Sequence, residues 1–236
     1  MNRTTVIQDA INHLSAQTYL EIGVFAGDCF LPVRVPLKIA VDPCLKIGWH
    51  RKLIWKLRHR FQYTSQYFEV TSDEFFSRVE GNQQISSKKF DVIFIDGMHT
   101  HRQSLKDVNN ALKVLADPGI IIMHDCYPPN SAAAYPANSL EHARSLNLPE
   151  WTGEWCGDTW KTICHLRATR ADLNIFVLNC DYGLGVITKG VPEKRLEMTE
   201  EQIEVLTFDD LENAPLELIN LKQPGHWTKF MRRFEV

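Results

Sequence analysis

The sequence of 236 residues lacks paired cysteines, long apolar runs and an excess of basic charge. Its six cysteines form no CxxC or CxC pair, which excludes a disulfide-stapled miniprotein and favours reduced thiols in a cytoplasmic protein. No apolar run approaches the roughly 18 residues that a membrane span needs. Because the formal net charge is -3, the chain as a whole does not attract nucleic acid, and we expect no nucleic-acid partner.

Short apolar runs alternate with longer amphipathic stretches over the first half of the chain, a pattern typical of βαβ units and a parallel sheet. Five strands are predicted from these runs: Tyr19–Ile22, Lys38–Val41, Tyr67–Val70, Asp91–Ile95 and Gly119–Met123. Two later runs, 173–178 and 184–188, are too close together for a helical crossover and should pair antiparallel. Pro32 and Pro36 limit the helix of the first crossover to about one or two turns.

Polar residues follow nearly every predicted strand. Glu21 and Gly23 end the first strand and Asp42 ends the second. Ser72 and Asp73 follow the third strand, Asp96 and His99 the fourth, and His124 and Asp125 the fifth. Ligands of open α/β sheets bind beyond the carboxyl ends of the strands, so this recurrence predicts a binding site there. An acidic residue at such a position can instead cap the following helix, and for Asp73 alone that is the favoured interpretation.

The turn after the first strand runs from Glu21 to Gly27 and contains two glycines. Glycine lets the backbone approach a ligand closely. The turn lacks the GxGxxG fingerprint of dinucleotide binders, because Phe25 stands at the second glycine position, so a pyrophosphate is disfavoured. Asp42 lies 19 residues after Gly23, where a carboxylate can accept hydrogen bonds from both hydroxyls of a ribose. The two features together predict a nucleoside ligand without a pyrophosphate.

In this order, the motifs resemble those of the class I S-adenosylmethionine-dependent methyltransferases. The narrower resemblance is to small-molecule and sugar O-methyltransferases, including macrocin and mycinamicin methyltransferases. It rests on the glycine turn, Ile39 to Asp42, Phe90 to His99, Gly119 to Asp125 and Gly157 to Lys161. It implies a Rossmann-like α/β fold with a seven-strand sheet in the order 3-2-1-4-5-7-6 and helices on both faces. The implied reaction is methyl transfer from S-adenosylmethionine to a hydroxyl of a small-molecule acceptor, a sugar or sugar-bearing metabolite.

The resemblance also implies roles for individual residues. Glu21 reaches the methionine amino group of the cofactor, and Asp42 binds the ribose hydroxyls. Ser72 and Asp73 lie beside the adenine. The remaining residues assigned to cofactor binding are Gly23, Val24, Phe25, Gly27 and Asp96.

In metal-dependent members of that branch, an Asp-x-x-His after the fourth strand supplies a metal ligand and a general base, which matches Asp96 and His99. A pair of acidic residues after the fifth strand completes the metal site, whereas this chain has His124-Asp125. Magnesium prefers oxygen ligands and imidazole suits zinc, iron or nickel, so this departure weakens or retunes the site. The expectation is His99 as the catalytic base, with Asp96 and Asp125 as ligands of Mg²⁺ or another divalent cation.

Residues 49–61 combine five Lys and Arg residues with apolar residues at every fourth position. Because the repeat of Trp49, Leu53, Leu57 and Phe61 has helical spacing, it predicts a helix that packs on the sheet and leaves its charges in solvent. The alternative is a surface that attracts an anionic substrate, a membrane surface or a nucleic acid.

The predicted organisation is a methyltransferase domain over residues 1–190 and an extension over 191–236. The extension packs on the domain or on a second subunit of a homo-oligomer, and the sequence leaves both open. Residues 127–157 are rich in Pro, Ala, Asn and Trp and predict a lid, because a long segment with weak periodicity is commonly functional. Three other functions stay open: a nicotinamide-dependent enzyme, a metal-dependent hydroxylase-like enzyme and a catalytically silent nucleoside-binding module.

Overall fold

The computed structural model describes residues 1–60, 62–81 and 89–234. The first half of the chain contains α1 (Arg3–His13), β1 (Thr18–Ile22), β2 (Leu37–Val41), α2 (Trp49–Arg58), β3 (Thr64–Phe68), α3 (Ser72–Gly81), β4 (Phe90–Ile95), α4 (His101–Val114) and β5 (Leu115–Met123). The second half contains α5 (Leu140–Ser145), α6 (Trp160–Thr169), β6 (Leu173–Leu178), β7 (Leu184–Lys189), α7 (Glu200–Glu204), α8 (Phe208–Asn213), α9 (Pro215–Leu218), β8 (Leu221–Lys222), α10 (Gly225–Met231) and a 3₁₀ turn (Arg232–Phe234). Within these described residues, no helix is both long and apolar enough to cross a membrane.

The strands form a sheet in the order β3-β2-β1-β4-β5-β7-β6-β8. Its first seven positions are the order expected from the sequence, so the prediction of a Rossmann-like α/β fold is confirmed. β1 pairs in parallel with β2 and β4, and β2 pairs in parallel with β3. β6 and β7 pair antiparallel, as their short connection predicts. The two-residue strand β8, which the sequence did not reveal, adds a parallel edge beside β6.

The chain divides into two compact units. The first unit comprises Asn2–Gly97, Asp107–Ile122 and the C-terminal residues from Met231, and it contains β1 to β4 and the glycine turn. The second unit comprises Met1, Met98–Lys106 and Met123–Phe230, and it contains β6 to β8.

Two predicted strands have wrong bounds, and one predicted helix is not found. β3 begins at Thr64 and ends at Phe68, earlier than the predicted Tyr67–Val70. β5 begins at Leu115, four residues before the predicted Gly119–Met123, and the residue before Pro118 favours extended backbone. Residues 23–36 contain no helix, in place of the predicted one or two turns.

A buried lysine stabilises this helix-free crossover. Lys38 lies in β2 with no exposed surface, and its Nζ donates to the carbonyl oxygens of Phe30, Leu31 and Val33 at 2.7, 3.0 and 2.8 Å. The ammonium also lies 3.8 Å from the ring centroid of Trp55. Burial lowers the pKa of Lys38 to about 7. Buried carbonyl oxygens need hydrogen-bond donors. In a helix the backbone N–H groups supply them, and in this loop the side chain of Lys38 does.

Helix α2 buries a different face from the one its repeat predicts. Trp49, Leu53 and Leu57 are 76%, 43% and 57% exposed, whereas Trp55 is buried. The predicted packing of this repeat on the sheet is therefore wrong, and Phe61 lies outside the described residues. The physical reason is that Trp55, which lies off the repeat, offers its π-face to the buried ammonium of Lys38.

Candidate active site

The glycine turn of the first unit needs its two glycines. Gly23 has φ +83, and a Cβ there would lie 1.9 Å from the carbonyl oxygen of Asp96. Gly27 has φ +77, and a Cβ there would lie 2.7 Å from Cδ1 of Ile47. Between them, Phe25 has φ 42 and a side chain that is 60% exposed, while Val24 is buried. At both positions the backbone of the turn lies so close to neighbouring atoms that any side chain would clash, so both require glycine.

Asp42 bridges the turns that follow β1 and β2. Its Oδ2 accepts the N–H of Phe25 at 2.7 Å, and its Oδ1 accepts the N–H of Cys44 at 2.6 Å. The residue is only 8% exposed. A carboxylate oxygen can accept more than one hydrogen bond, so these contacts orient Asp42 and leave it capacity for further donors.

Glu21 is a buried acid in β1. It is 1% exposed and accepts a hydrogen bond from the hydroxyl of Tyr19. Burial raises the pKa of Glu21 to about 8, against the opposing effect of the Tyr19 hydrogen bond. A buried carboxyl of this kind is neutral at pH 7 and ionises when a cation binds beside it.

Ser72 and Asp73 are the first two residues of α3 and are half-buried. The residue that caps this helix is Thr71, whose Oγ1 accepts the N–H of Glu74 at 3.2 Å. The Thr71 N–H donates in turn to the Glu74 carboxylate at 3.2 Å, which completes a capping box. The interpretation of Asp73 as the cap is therefore wrong, and the place of Ser72 and Asp73 beside an adenine stays a prediction.

Asp96, which follows β4, pairs with a cation that sequence reasoning missed. Nη1 of Arg3 donates to Oδ2 of Asp96 at 2.8 Å, and the two side chains are 29% and 17% exposed. The residues are 93 positions apart, and no local pattern marks Arg3 as a partner. A guanidinium stays charged at any accessible pH, so Asp96 has a permanent counter-ion.

His99, in the second unit, is fixed by the carboxyl end of the predicted lid. Its Nδ1 lies 2.6 Å from the carbonyl oxygen of Trp155, and because a carbonyl only accepts, Nδ1 carries a proton. The imidazole also packs on the Trp155 indole, with ring centroids 5.3 Å apart. A Cβ at Gly157 would lie 1.8 Å from the carbonyl oxygen of His99, so this approach requires glycine.

The other ring nitrogen of His99 faces Asp125. Nε2 of His99 lies 3.2 Å from Oδ2 of Asp125, and Nδ1 of His124 lies 3.0 Å from the same oxygen. The side chains of Asp125 and His124 are 6% and 4% exposed. Nε2 of His124 lies 3.6 Å from Oδ1 of Asp181. These four residues form what we call the histidine–aspartate cluster.

Asp181 is the member of this cluster that sequence reasoning missed. It lies in the turn between β6 and β7, where Asp181, Tyr182 and Gly183 all have positive φ values of 49, 59 and 86. A Cβ at Gly183 would lie 2.2 Å from the backbone nitrogen of Tyr127. The sequence marked this segment only as a hairpin turn, because the partner His124 lies 57 positions earlier.

The comparison with protein families concerns the region of β1 to β5. Residues 20–126 match the family described as a methyltransferase domain. The chain contains a methyltransferase domain. This match includes Glu21, Asp42, Asp96 and Asp125. Among curated proteins, none matches the sequence of this methyltransferase significantly.

Solved structures share the fold of the methyltransferase. An O-methyltransferase from Bacillus cereus, in complex with SAH, is 13% identical; 80% of this chain and 82% of that chain align, with a TM-score of 0.51. The O-methyltransferase TomG from Streptomyces achromogenes, in complex with SAM, is 12% identical over 77% and 79% of the two chains, with a TM-score of 0.51. SAH-bound PaMTH1 from Podospora anserina is 15% identical over 80% and 78%, also with a TM-score of 0.51.

The recognition of a class I S-adenosylmethionine-dependent methyltransferase from the sequence is confirmed. The domain match identifies the enzyme class, and the solved structures identify the fold. The methyl acceptor and the roles of single residues stay predictions.

Proposed function

We propose that this methyltransferase transfers the methyl group of S-adenosylmethionine to a hydroxyl of a sugar or sugar-bearing small molecule. The observation that carries the proposal is His99, whose ring is fixed by the Trp155 carbonyl and whose Nε2 faces Asp125. An alcohol is a poor nucleophile while it is protonated, so transfer to oxygen benefits from a positioned base. Imidazole has a pKa near neutrality and suits this task.

The donors and acceptors of the first unit fit S-adenosylmethionine. We assign the methionine amino group to Glu21, the ribose hydroxyls to Asp42, and the adenine to the start of α3 at Ser72 and Asp73. The glycine turn lets the backbone approach the methionine and ribose. When bound, the cofactor supplies a methyl group on a positively charged sulfur. A neutral Glu21 then loses its proton as the ammonium group of the cofactor binds.

His99 moves the proton in the proposed reaction. Its Nε2 takes the proton of the acceptor hydroxyl as the acceptor oxygen bonds to the methyl carbon and the carbon–sulfur bond breaks. The products are the methyl ether, S-adenosylhomocysteine and a protonated His99. The carboxylate of Asp125, 3.2 Å from Nε2, stabilises that imidazolium, and the Trp155 carbonyl holds Nδ1 in place.

The divalent cation, with Asp96 and Asp125 as ligands, stays a prediction. The proposed proton transfer to Nε2 of His99 does not require it. Asp96 already forms an ion pair with the guanidinium of Arg3. The imidazoles of His99 and His124 beside Asp125 form a donor set that zinc or iron accepts more readily than magnesium does. A chelator separates the two cases: inhibition that added metal reverses supports the cation, and an unchanged rate removes it.

Binding and transfer are measured separately. Calorimetry with S-adenosylhomocysteine and with NAD tests the cofactor, and S-adenosylmethionine with a radioactive methyl group tests transfer to monosaccharides, glycosides and phenols. We expect S-adenosylhomocysteine to bind and label to appear on a sugar hydroxyl. Label on phenols alone contradicts the sugar but keeps the O-methyltransferase. Binding without transfer to any acceptor supports a silent nucleoside-binding module, and binding of NAD alone overturns the cofactor assignment.

A further inference from the structure

Helix α2 presents an apolar stripe that the proposed reaction does not use. Trp49, Leu53, Ile54 and Leu57 are 76%, 43%, 55% and 57% exposed. At about 100° per residue in an α-helix, these four side chains lie within an arc of roughly 140°. We call this arc the α2 stripe. The exposed imidazole of His50 lies within the same arc, so the face is apolar apart from this one ring. A cluster of apolar side chains presented to solvent in this way marks an interaction surface.

Basic residues border the α2 stripe on both sides. Helical spacing places Lys56 along one edge and Arg58 along the other. Residues 45–60 contain six of the 26 Lys and Arg residues of the chain and none of its 29 Asp and Glu residues. The formal net charge of the whole chain is -3, so positive charge is concentrated around this one helix.

The opposite side of α2 fixes the direction in which the stripe points. Nη1 of Arg51 donates to the carbonyl oxygen of Ala26 at 2.7 Å, and Nη2 pairs with Asp28 at 2.7 Å. Nζ of Lys52 lies 4.0 Å from the ring centroid of Tyr67. Together with the burial of Trp55, these contacts hold the helix with its apolar stripe outward.

We propose that the α2 stripe docks the protein on the surface of an anionic lipid bilayer. Tryptophan and branched aliphatic side chains enter the boundary between head groups and acyl chains, and Lys and Arg at the edges of the stripe contact the phosphates. Each flanking cation near an anionic membrane surface adds to the attraction, which falls as salt rises. The helix lies in the plane of the surface and does not enter the hydrocarbon core.

Charge complementarity selects this partner over a second copy of the chain. A twofold dimer through α2 would set the same basic edges against each other without an acidic residue from 45–60 to compensate. A nucleic acid would contact the cations but would leave Leu53, Ile54 and Leu57 without apolar partners. An anionic bilayer satisfies both the charges and the stripe.

Vesicle flotation of the full-length protein tests the proposal. One set of vesicles is phosphatidylcholine alone, and the other contains roughly one-third phosphatidylglycerol to supply the negative surface potential. We expect at least about tenfold tighter binding to the anionic vesicles. Leu53→Ser with Leu57→Ser should weaken that binding about tenfold or more, since it removes two of the four apolar side chains of the stripe. Lys56→Glu with Arg58→Glu should abolish the preference for anionic vesicles.

Leu216→Ser is the matched control, because Leu216 is also an exposed leucine, at 72%, but lies on α9. It should bind vesicles as the unsubstituted protein does, and thermal melts should show all variants folded. The proposal is overturned if neither vesicle binds, if both bind equally, or if neither double variant weakens binding. A dimer in sedimentation velocity that Leu53→Ser with Leu57→Ser dissolves, without vesicle binding, identifies a second copy as the occupant instead.

Discussion

Asp42 and Lys38 of the first unit are held by backbone groups, whereas Asp125, His124 and Asp181 of the histidine–aspartate cluster face one another's side chains. Asp42 accepts two backbone N–H groups, and Lys38 donates to three carbonyls. In the cluster, Asp125 faces the rings of His99 and His124. A side chain held by backbone is part of the local fold, so its loss lowers stability. Replacing a side chain held by other ionisable groups should change the free energy of unfolding less. Its main effect should be on the rate of methyl transfer.

The largest expected effect tests the cluster. His99→Ala removes the base and should lower methyl transfer by roughly 10²–10⁴-fold, with the affinity for S-adenosylhomocysteine and the melting temperature nearly unchanged. Initial rates with the identified acceptor measure turnover, and calorimetry measures binding. His50→Ala, which changes an exposed histidine of α2 outside the cluster and the predicted lid, is the control and should keep full turnover. Full turnover in His99→Ala would mean that the base is another residue, and His124 would be tested next.

The second prediction concerns Lys38. Lys38→Met keeps the apolar stem but leaves three carbonyls of the crossover without their donor, so the free energy of unfolding should fall by roughly 3–4 kcal/mol. Urea denaturation followed by far-ultraviolet circular dichroism measures the change. Lys46→Met removes an exposed lysine and should change stability by less than about 0.5 kcal/mol. Similar small values for both variants would refute the stabilising role of the buried ammonium.

The third prediction concerns the pH dependence of stability. The pKa of Glu21 is about 8 in the folded protein, above its usual 4.5, so the folded state binds more protons than the unfolded state between these values. Stability from this residue is complete below pH 4.5 and is lost as pH rises through about 8. The protein should lose roughly 2–3 kcal/mol between pH 5 and 7 relative to Glu21→Gln, which has no proton to exchange. Parallel urea midpoints for the two proteins across this range would contradict the raised pKa.

The smallest expected effect concerns Asp42, where one substitution tests both cofactor binding and stability. Asp42→Ala should weaken S-adenosylhomocysteine binding by about 10–100-fold, because a carboxylate that orients two hydroxyls is lost. It should also lower stability by roughly 1–2 kcal/mol, because the N–H groups of Phe25 and Cys44 lose their acceptor. Calorimetry and urea denaturation measure the two effects. Lower stability with unchanged affinity would leave Asp42 a purely structural role.

Local motifs could be predicted from the sequence, and long-range partners could not. The glycine turn and Asp42 follow from short patterns, because a strand and its turn are continuous in the chain, whereas the order of the first seven strands came from the resemblance to a known family. Arg3 and Asp181 escaped prediction, since each reaches its partner only after distant segments have folded together. The face of α2 was predicted wrongly because periodicity finds an apolar stripe but does not say whether a partner covers it.

Two close backbone approaches, at Tyr127 and at Gly157, bracket the predicted lid and define an exchange unit for protein engineering. Gly183 allows the close approach at Tyr127, and Gly157 allows the one at His99. The N–H groups of Cys156 and Gly157 both donate to the Ala133 carbonyl, at 2.8 and 3.0 Å, which adds a tie between the interior of the segment and its carboxyl end. Residues 128–154 can therefore be replaced as a cassette that retains this tie and leaves both close approaches intact. Because this segment is predicted to be a lid, we expect its exchange to alter acceptor specificity while Trp155 and Gly157 keep the position of His99.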